Sequence, residues 1–451
     1  MKELEAVIQA AIAKGSIVGT NVVVAYKGKI VFEQQAGWAD REEKQPVKED
    51  TLFRLASMTK PIVSAAAMAL VEKGLLKLDA PITHWLPSFK PKLSNGKDAY
   101  ITVGHLLTHT AGFTYGFLFA DNEPYRSAGV SDGMDESVLS LDENLERLAK
   151  VPLTFDPGTS WCYSLATDVL GAVLEKACGK QLPAIVEEYI TKPLGMKDTS
   201  FNVKSVERLA KAYADGDKSG GSARLMQAKD KVLLEGCGPI HYAPGRITNA
   251  KAYPSGGSGM AGTARDYMTF LETIRRGGKP ILQADSIKLM TQDKVDGFDV
   301  PAAGPGYGFG MGFAVVRDSE KAGTPRHAGS YEWGGVYGTK MFVDPANELS
   351  VVILTNTALH GLVGAFPADV TRAVYNDLGL KKKITAATAK STEKEKNDTD
   401  KIKEKEFSKQ DVNAVVRLSP VFEDPSSSII KLNVSTGQSV GSNVLNRNTM
   451  I

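Results

Sequence analysis

Phe53-Arg54-Leu55-Ala56-Ser57-Met58-Thr59-Lys60-Pro61, followed at once by the apolar run from Ile62 to Gly74, decides how this chain is read. On a helix, residues three apart share a face, so the Lys60 amine is set against the Ser57 hydroxyl. A free serine hydroxyl is a weak nucleophile at neutral pH. A lysine whose charged form is disfavoured by burial can accept its proton. Pro61 falls where a first helical turn tolerates a missing N–H. The pattern is short enough to recur, and Ser94-Asn95-Gly96-Lys97 and Ser391-Thr392-Glu393-Lys394 repeat it. The first lies in a Gly-containing polar loop and the second in a charged tail, and neither precedes a segment that could be buried. The plainer reading of Ser57 is an N-cap with no chemistry.

A chain of 451 residues has room for two domains, or for one large domain with an insertion. Its net charge of +2 and the absence of a basic stripe interleaved with aromatics give no electrostatic case for nucleic acid. The three cysteines, Cys162, Cys178 and Cys237, are odd in number and widely spaced, so neither a disulfide framework nor a zinc site is indicated. Met1 to Lys14 mixes Lys2, Glu3 and Glu5 with apolar residues at helical spacing and lacks the apolar centre of a signal peptide. No run of about 18 apolar residues suggests a membrane span. The expectation is a cytoplasmic protein, although a signal peptide removed before Met1 would leave the same sequence.

Asn21 to Tyr26 and Lys29 to Gln34 are β-rich runs joined by Lys27-Gly28, which predicts a hairpin. The Ser57 helix is expected to stop at Gly74. From Ile101 to about Gly195 helical spacing dominates, over Val103 to Thr108, Leu141 to Ala149, Ala166 to Gly179 and Leu182 to Lys192. The Gly-, Asp- and Pro-rich loop from Gly112 to Met134 could wall a pocket. Strand patterning resumes at Gly306 to Arg317, Gly335 to Val343 and Glu348 to Asn356, with Asp344-Pro345-Ala346-Asn347 as a turn, and Ala365 to Leu378 reads as a final helix. Strands at both ends with helices between predict an α/β (α+β) protein, an antiparallel sheet flanked by helices. Residues 1–80 and 245–380 would form one discontinuous α/β domain and 81–244 a mainly helical insertion. Residues 381–451, opening with Lys381-Lys382-Lys383, are low in complexity and expected to be disordered.

Together these residues resemble the serine β-lactamase-like superfamily, in the branch of class C β-lactamases, DD-peptidases and family VIII carboxylesterases. The S-x-x-K pattern at Ser57 belongs to that superfamily. The likeness runs from about Met1 to Leu380 and includes Ile101-Thr102-Val103-Gly104-His105-Leu106-Leu107-Thr108-His109-Thr110-Ala111-Gly112, Phe155-Asp156-Pro157-Gly158 leading to Tyr163-Ser164, and Gly262-Thr263-Ala264-Arg265-Asp266-Tyr267. It implies a β-lactamase/transpeptidase-like fold. It also implies a second motif, Y-x-N, whose tyrosine shuttles protons. Tyr163-Ser164-Leu165 matches its first position, and Leu165 replaces the asparagine that in β-lactamases helps hold the substrate amide. The third motif, K-T-G on a sheet-edge strand, is matched in place by Trp333-Gly334-Gly335, similar to the W-G-G of family VIII esterases. There the backbone N–H groups of Ser57 and Val336 would form the oxyanion hole. His327-Ala328-Gly329 is a rival alignment that would put His327 in the substrate pocket.

The resemblance therefore implies a serine carboxylesterase without a cofactor, acting on small esters through a Ser57 acyl-enzyme. Lys60 or a Lys60-ionised Tyr163 would serve as base. The alternatives on the same scaffold are a β-lactamase or D-amino-acid peptidase and an acyltransferase; outside it stands a non-catalytic binding scaffold. Other patterns carry less. His105 and His109 have the spacing of a metal pair but lack the glutamate of H-E-x-x-H, so no metal is expected. Gly256-Gly257-Ser258-Gly259 has no G-K-[ST] after it and reads as a turn bordering the pocket. No G-x-S-x-G element suggests an α/β-hydrolase.

Overall fold

The computed structural model describes residues 1–119, 123–201, 203–216 and 222–380. The expectation of disorder over 381–451 lies outside the described residues. The architecture starts from a tight hairpin. Strands β1 (Gly19–Tyr26) and β2 (Lys29–Asp40) are joined by Lys27 and Gly28, both with positive φ (51° and 77°). Two such residues in sequence make the two-residue turn whose twist matches the flanking strands. The hairpin joins β3 (Gln45–Pro46), β4 (Tyr307–Phe309), β5 (Ala314–Val316), β6 (Tyr331–Gly335), β7 (Thr339–Asp344) and β8 (Leu349–Thr355) in one antiparallel sheet, ordered β4-β5-β6-β7-β8-β1-β2-β3.

Alternation along the central strands decides which layer each residue feeds. Val22 and Val24 of β1, with Ile353 of β8, pack under α1 (Lys2–Ala13) and α7 (Ala365–Asp377), against Leu4, Ile8 and Val370. Val23 and Ala25, with Val352 and Leu354, turn to the opposite core. There lie α2 (Thr59–Glu72) and α6 (Ala264–Arg275). Val22, Val23 and Val24 are fully buried, each contributing roughly 1.5–3 kcal/mol relative to exposure. The antiparallel sheet between helices predicted from the sequence is the sheet observed.

Two strand boundaries differ from expectation, both at glycines. Gly306 to Arg317 is not one strand but the β4–β5 hairpin, turned at 310–313, where Gly312 has φ +112° and a Cβ would lie 2.8 Å from Ser64 on α2. The run Gly335 to Val343 is broken by Gly338, φ +98°, whose N–H donates to the Gly335 carbonyl at 2.9 Å. The break makes β6 and β7 a hairpin with Trp333 opposite Met341 and Gly335 opposite Thr339. Trp333 thus sits on β6, third from the sheet edge rather than on it, because β4 and β5 extend the sheet.

The segment 81–244 carries α3 (Val103–Leu107), α4 (Leu141–Leu148) and α5 (Ala166–Cys178) over the α2 side of the sheet. It also holds an unforeseen hairpin, Asp230–Leu233 with Pro239–Tyr242. Leu182–Val186 continues as a π-turn over Glu187–Thr191.

Candidate active site

Ser57 sits in the 3-10 turn Ala56–Met58 that runs directly into α2. Ala56 has φ +44°, a left-handed conformation that costs an L-residue about 1–2 kcal/mol. The surroundings fix it from several sides. The Leu55 N–H donates to Met260 O at 2.9 Å, the Leu55 carbonyl accepts from Met58 N and Thr339 Oγ1, and Tyr267 Oη donates to Met58 O at 2.9 Å. Among the described residues, the Ser57 side chain caps no helix end. Met58 is the N-cap of α2 and makes no side-chain cap bond. Ser57 Oγ instead accepts from Tyr163 Oη at 2.6 Å and from Lys60 Nζ at 3.3 Å.

Lys60 is 1% exposed and, among the described residues, has no carboxylate in ion-pair contact. Its Nζ donates to Gly257 O at 2.8 Å and to Tyr115 Oη at 2.9 Å, the Ser57 contact being the longest. Burial pushes the Lys60 amine down to about 7, against the opposing pull of Asp168 and Asp132. In the neutral amine, two N–H groups serve Gly257 and Tyr115 and the lone pair is left for the Ser57 proton. Tyr163 is shifted the other way. Burial raises its phenol well above the ordinary range, while the Ser57 hydroxyl and the Trp333 indole favour its anion. Of the two, Lys60 is the group that burial makes a usable base near neutral pH.

An aromatic wall surrounds this trio. Trp333 meets the Tyr163 ring edge-on at 5.2 Å and Phe309 at 5.3 Å. Tyr115 lies 5.1 Å from Tyr163 and stacks on Phe117 at 4.9 Å. His109, φ +57°, holds Ser164 through Nδ1 at 3.0 Å and packs on Tyr163 at 5.2 Å. Burial and Lys60 keep it well below the usual histidine range, hence neutral. His105 serves instead in the capping box of α3 with Thr102. Among the described residues, no three His, Cys, Asp or Glu side chains gather as metal ligands.

Gly334 and Gly335 of β6 face opposite ways. A Cβ on Gly334 would meet Leu362, whereas one on Gly335 would lie 2.2 Å from Leu55 O and 3.2 Å from Ala56 Cβ. Gly335 is therefore what lets β6 close on the Ser57 turn. Val336 follows at once, its carbonyl accepting from Tyr242 Oη at 2.9 Å. His327 is not brought here. Its half-exposed ring bonds Asp344 Oδ2 at 3.1 Å, at the far end of β7 from Thr339, and five residues of strand span about 17 Å. The expectation of His327 in the pocket is corrected on that ground. A neighbouring cavity of about 430 Å³, bordered by Arg54, Arg246, Tyr253 and Tyr337, includes none of Ser57, Lys60 or Tyr163.

Three polar participants were missed from the sequence. Tyr115 was hidden in the loop 112–134, where the alternation Phe113, Tyr115, Phe117, all buried, was its only signal. Gly257 lies in the turn read merely as a pocket border, and Asp168 looks like an ordinary first-turn helix acid.

Comparison with known proteins identifies the family of the chain. A family model described as Beta-lactamase matches residues 4–369. The chain is 46% identical over 375 residues to esterase EstB of Burkholderia gladioli, covering 82% of this chain and 94% of that protein. The solved structure of EstCE1, described as a hydrolase with promiscuous acyltransferase activity, superposes with a TM-score of 0.80 at 42% identity, covering 83% of this chain and 98% of that one. Unliganded simvastatin synthase (LovD) from Aspergillus terreus shares the fold, with a TM-score of 0.65 at 22% identity over 83% and 97% of the two chains. Among the described residues, no helix is long and apolar enough to cross a membrane.

Proposed function

The chain belongs to the β-lactamase family, in the branch of the family VIII carboxylesterases, and from that premise we propose that it is a serine hydrolase cleaving small carboxylic esters through an acyl-enzyme on Ser57. The observation that carries the reading is the pair of contacts on Ser57 Oγ, 2.6 Å from Tyr163 Oη and 3.3 Å from a lysine that burial holds near neutrality. In this scheme Ser57 Oγ attacks the ester carbonyl as its proton passes to Lys60 Nζ. The oxyanion is held by the backbone N–H groups of Ser57 and Val336, an arrangement supported by the close approach of Gly335 to Leu55 and Ala56. As the carbonyl re-forms, the alkoxide leaves and takes the proton from Lys60 through the Tyr163 hydroxyl. Water then attacks the acyl-enzyme, Lys60 takes the water proton, and its transfer to Ser57 Oγ releases the acid.

Two substitutions at family motif positions favour ester over lactam. Leu165 stands where an amide-binding asparagine would be, and is 1% exposed. Trp333 stands where a cation would hold a substrate carboxylate, and its ring faces Tyr163. A second reading, acyl transfer to an alcohol, is supported by the same aromatic wall, which limits water around the acyl-enzyme, and by the promiscuous acyltransferase activity of EstCE1. Ser57→Ala tests the main reading. Hydrolysis of a short-chain nitrophenyl ester should fall to background and fluorophosphonate labelling should vanish; retained turnover refutes it.

A further inference from the structure

Asp168, in the first turn of α5, is 2% exposed, and neither carboxylate oxygen forms a hydrogen bond of ordinary geometry among the described residues. A first-turn aspartate ordinarily complements the helix dipole from the surface. One held in a dry interior is unfavourable unless a charge nearby stabilises it. Its position supplies such a charge. A Cβ placed on Gly257 would lie 2.6 Å from Asp168 Oδ2, 2.9 Å from Tyr115 Oη and 3.3 Å from Lys60 Nζ. Three polar groups thus converge on the bare Cα of Gly257, whose carbonyl also accepts from Lys60.

We propose that Asp168 is a positioning residue for Lys60, its buried carboxylate set across Gly257 to stabilise the ammonium that forms when Lys60 takes the Ser57 proton. The inference rests on the reading of Lys60 as base. The step moves one proton from Ser57 Oγ to Lys60 Nζ while the serine oxygen's electron pair forms the bond to the carbonyl carbon and the carbonyl electrons pass to the oxyanion. Lys60 gains the positive charge that Asp168 faces.

The other groups around Lys60 do not fill this role. Tyr115 and Tyr163 are phenols that burial keeps neutral. Tyr253 is likewise held protonated. His109 is neutral and adds no charge. Asp132 also favours the ammonium, but its carboxylate already accepts from Met134 N at 3.0 Å, and Arg246 pulls on both acids. Among the described residues, Asp168 has no such bond of ordinary geometry on either oxygen. Burial raises it, and the Ser255 hydroxyl, the Lys60 ammonium and the Gly257 backbone offset part of that rise.

The test is Asp168→Asn, which keeps the shape and removes the charge. An opposite charge within about 6 Å shifts a pKa by about 1–3 units, so the acid limb of kcat/KM on a nitrophenyl ester should move to lower pH by about one unit. The plateau kcat should fall about tenfold or more. Asp132→Asn should move the limb less. The Lys60 amine itself is followed by ¹⁵N NMR in a Ser57→Ala background, where its midpoint should drop when Asp168→Asn is added. An unmoved midpoint together with an unmoved acid limb overturns the inference, even if activity falls, since a packing role would lower activity without moving either. Failure of the Ser57 reading shows separately, as ester hydrolysis surviving in Ser57→Ala.

Discussion

Gly335→Ala is the perturbation that most directly tests how β6 meets the Ser57 turn. The added methyl carbon would lie 2.2 Å from the Leu55 carbonyl, 2.6 Å from Thr339 Oγ1 and 3.2 Å from Ala56 Cβ. The first of these is backbone and cannot rotate away. Restoring an ordinary contact requires β6 and the 55–57 turn to separate by about 1 Å, a displacement that at a reacting centre costs about 100-fold in rate. It falls on the junction between the two segments that would each carry one oxyanion donor, and losing one such donor costs about 100- to 1000-fold in kcat. The Thr339–Leu55 hydrogen bond of 3.1 Å would be lost with it. Overpacking of this kind costs about 1–3 kcal/mol of stability, so the fold should survive. Expected in steady-state hydrolysis of a short nitrophenyl ester is a kcat at least about 100-fold lower with KM little changed, since the loss falls on the transition state. The control is Gly179→Ala, at the C-terminus of α5, where φ is positive, unlike at Gly335, but the added Cβ would meet nothing within 4 Å; it should lose some stability and keep its kcat. If Gly335→Ala stays within about threefold of wild type while folded, the placement of the oxyanion hole at this junction is refuted.

Two further outcomes follow from the same geometry. With the Lys60 amine lowered to about 7 by burial, the base is present above that pH and lost below it, so kcat/KM should rise through pH about 7 on the acid side. A profile flat from pH 5 to 8 would remove Lys60 from the base role. Tyr163→Phe removes the 2.6 Å contact to Ser57 and should lower kcat by about 100-fold or more, the usual scale of a lost proton-transfer group. Burst kinetics would show whether acylation or leaving-group departure suffers, and an unchanged kcat would make Tyr163 a wall residue only.

How much was readable in advance followed sequence distance. Ser57 and Lys60 lie on one helical turn, so their contact was implied by helix geometry alone, and the apolar run after Pro61 separated them from two imitations. Tyr163 and Trp333 reach the same point from far along the chain and were found only because ordered family motifs flank them. Gly257 and Asp168 have no such flag. Their importance comes from a close approach between the 255–259 turn and α5, where even a methyl group on Gly257 would collide, and no local pattern records that. The strand errors have one cause. Alternation reads straight through Gly338, because a positive φ is a property of the backbone and not of the hydropathy pattern. With β6 displaced to 331–335, His327 falls before the strand and pairs with Asp344 instead of facing Ser57.

The charge distribution at the site bears on which acyl compounds the proposed scheme suits. A cation at position 333 would hold a substrate carboxylate and also steady a phenolate at Tyr163. Trp333 brings no charge, only a buried indole N–H. The next cation along the sheet, Lys340 on β7, is paired to Glu332 at 3.0 Å. Beside Ser57, then, Lys60 is the lysine available among the described residues, and burial lowers its amine to about 7. Such a site has little to attract an anionic β-lactam or peptide carboxylate, since desolvating that charge would go uncompensated. It has much to hold a neutral ester: an aromatic wall, a small-residue strand close to the nucleophile, and a base that needs no external ion. The same near-neutrality makes the base sensitive to a single buried carboxylate. Asp168, at the first turn of α5, is therefore placed to matter more here than it would beside a site where a second cation already fixed the protonation state.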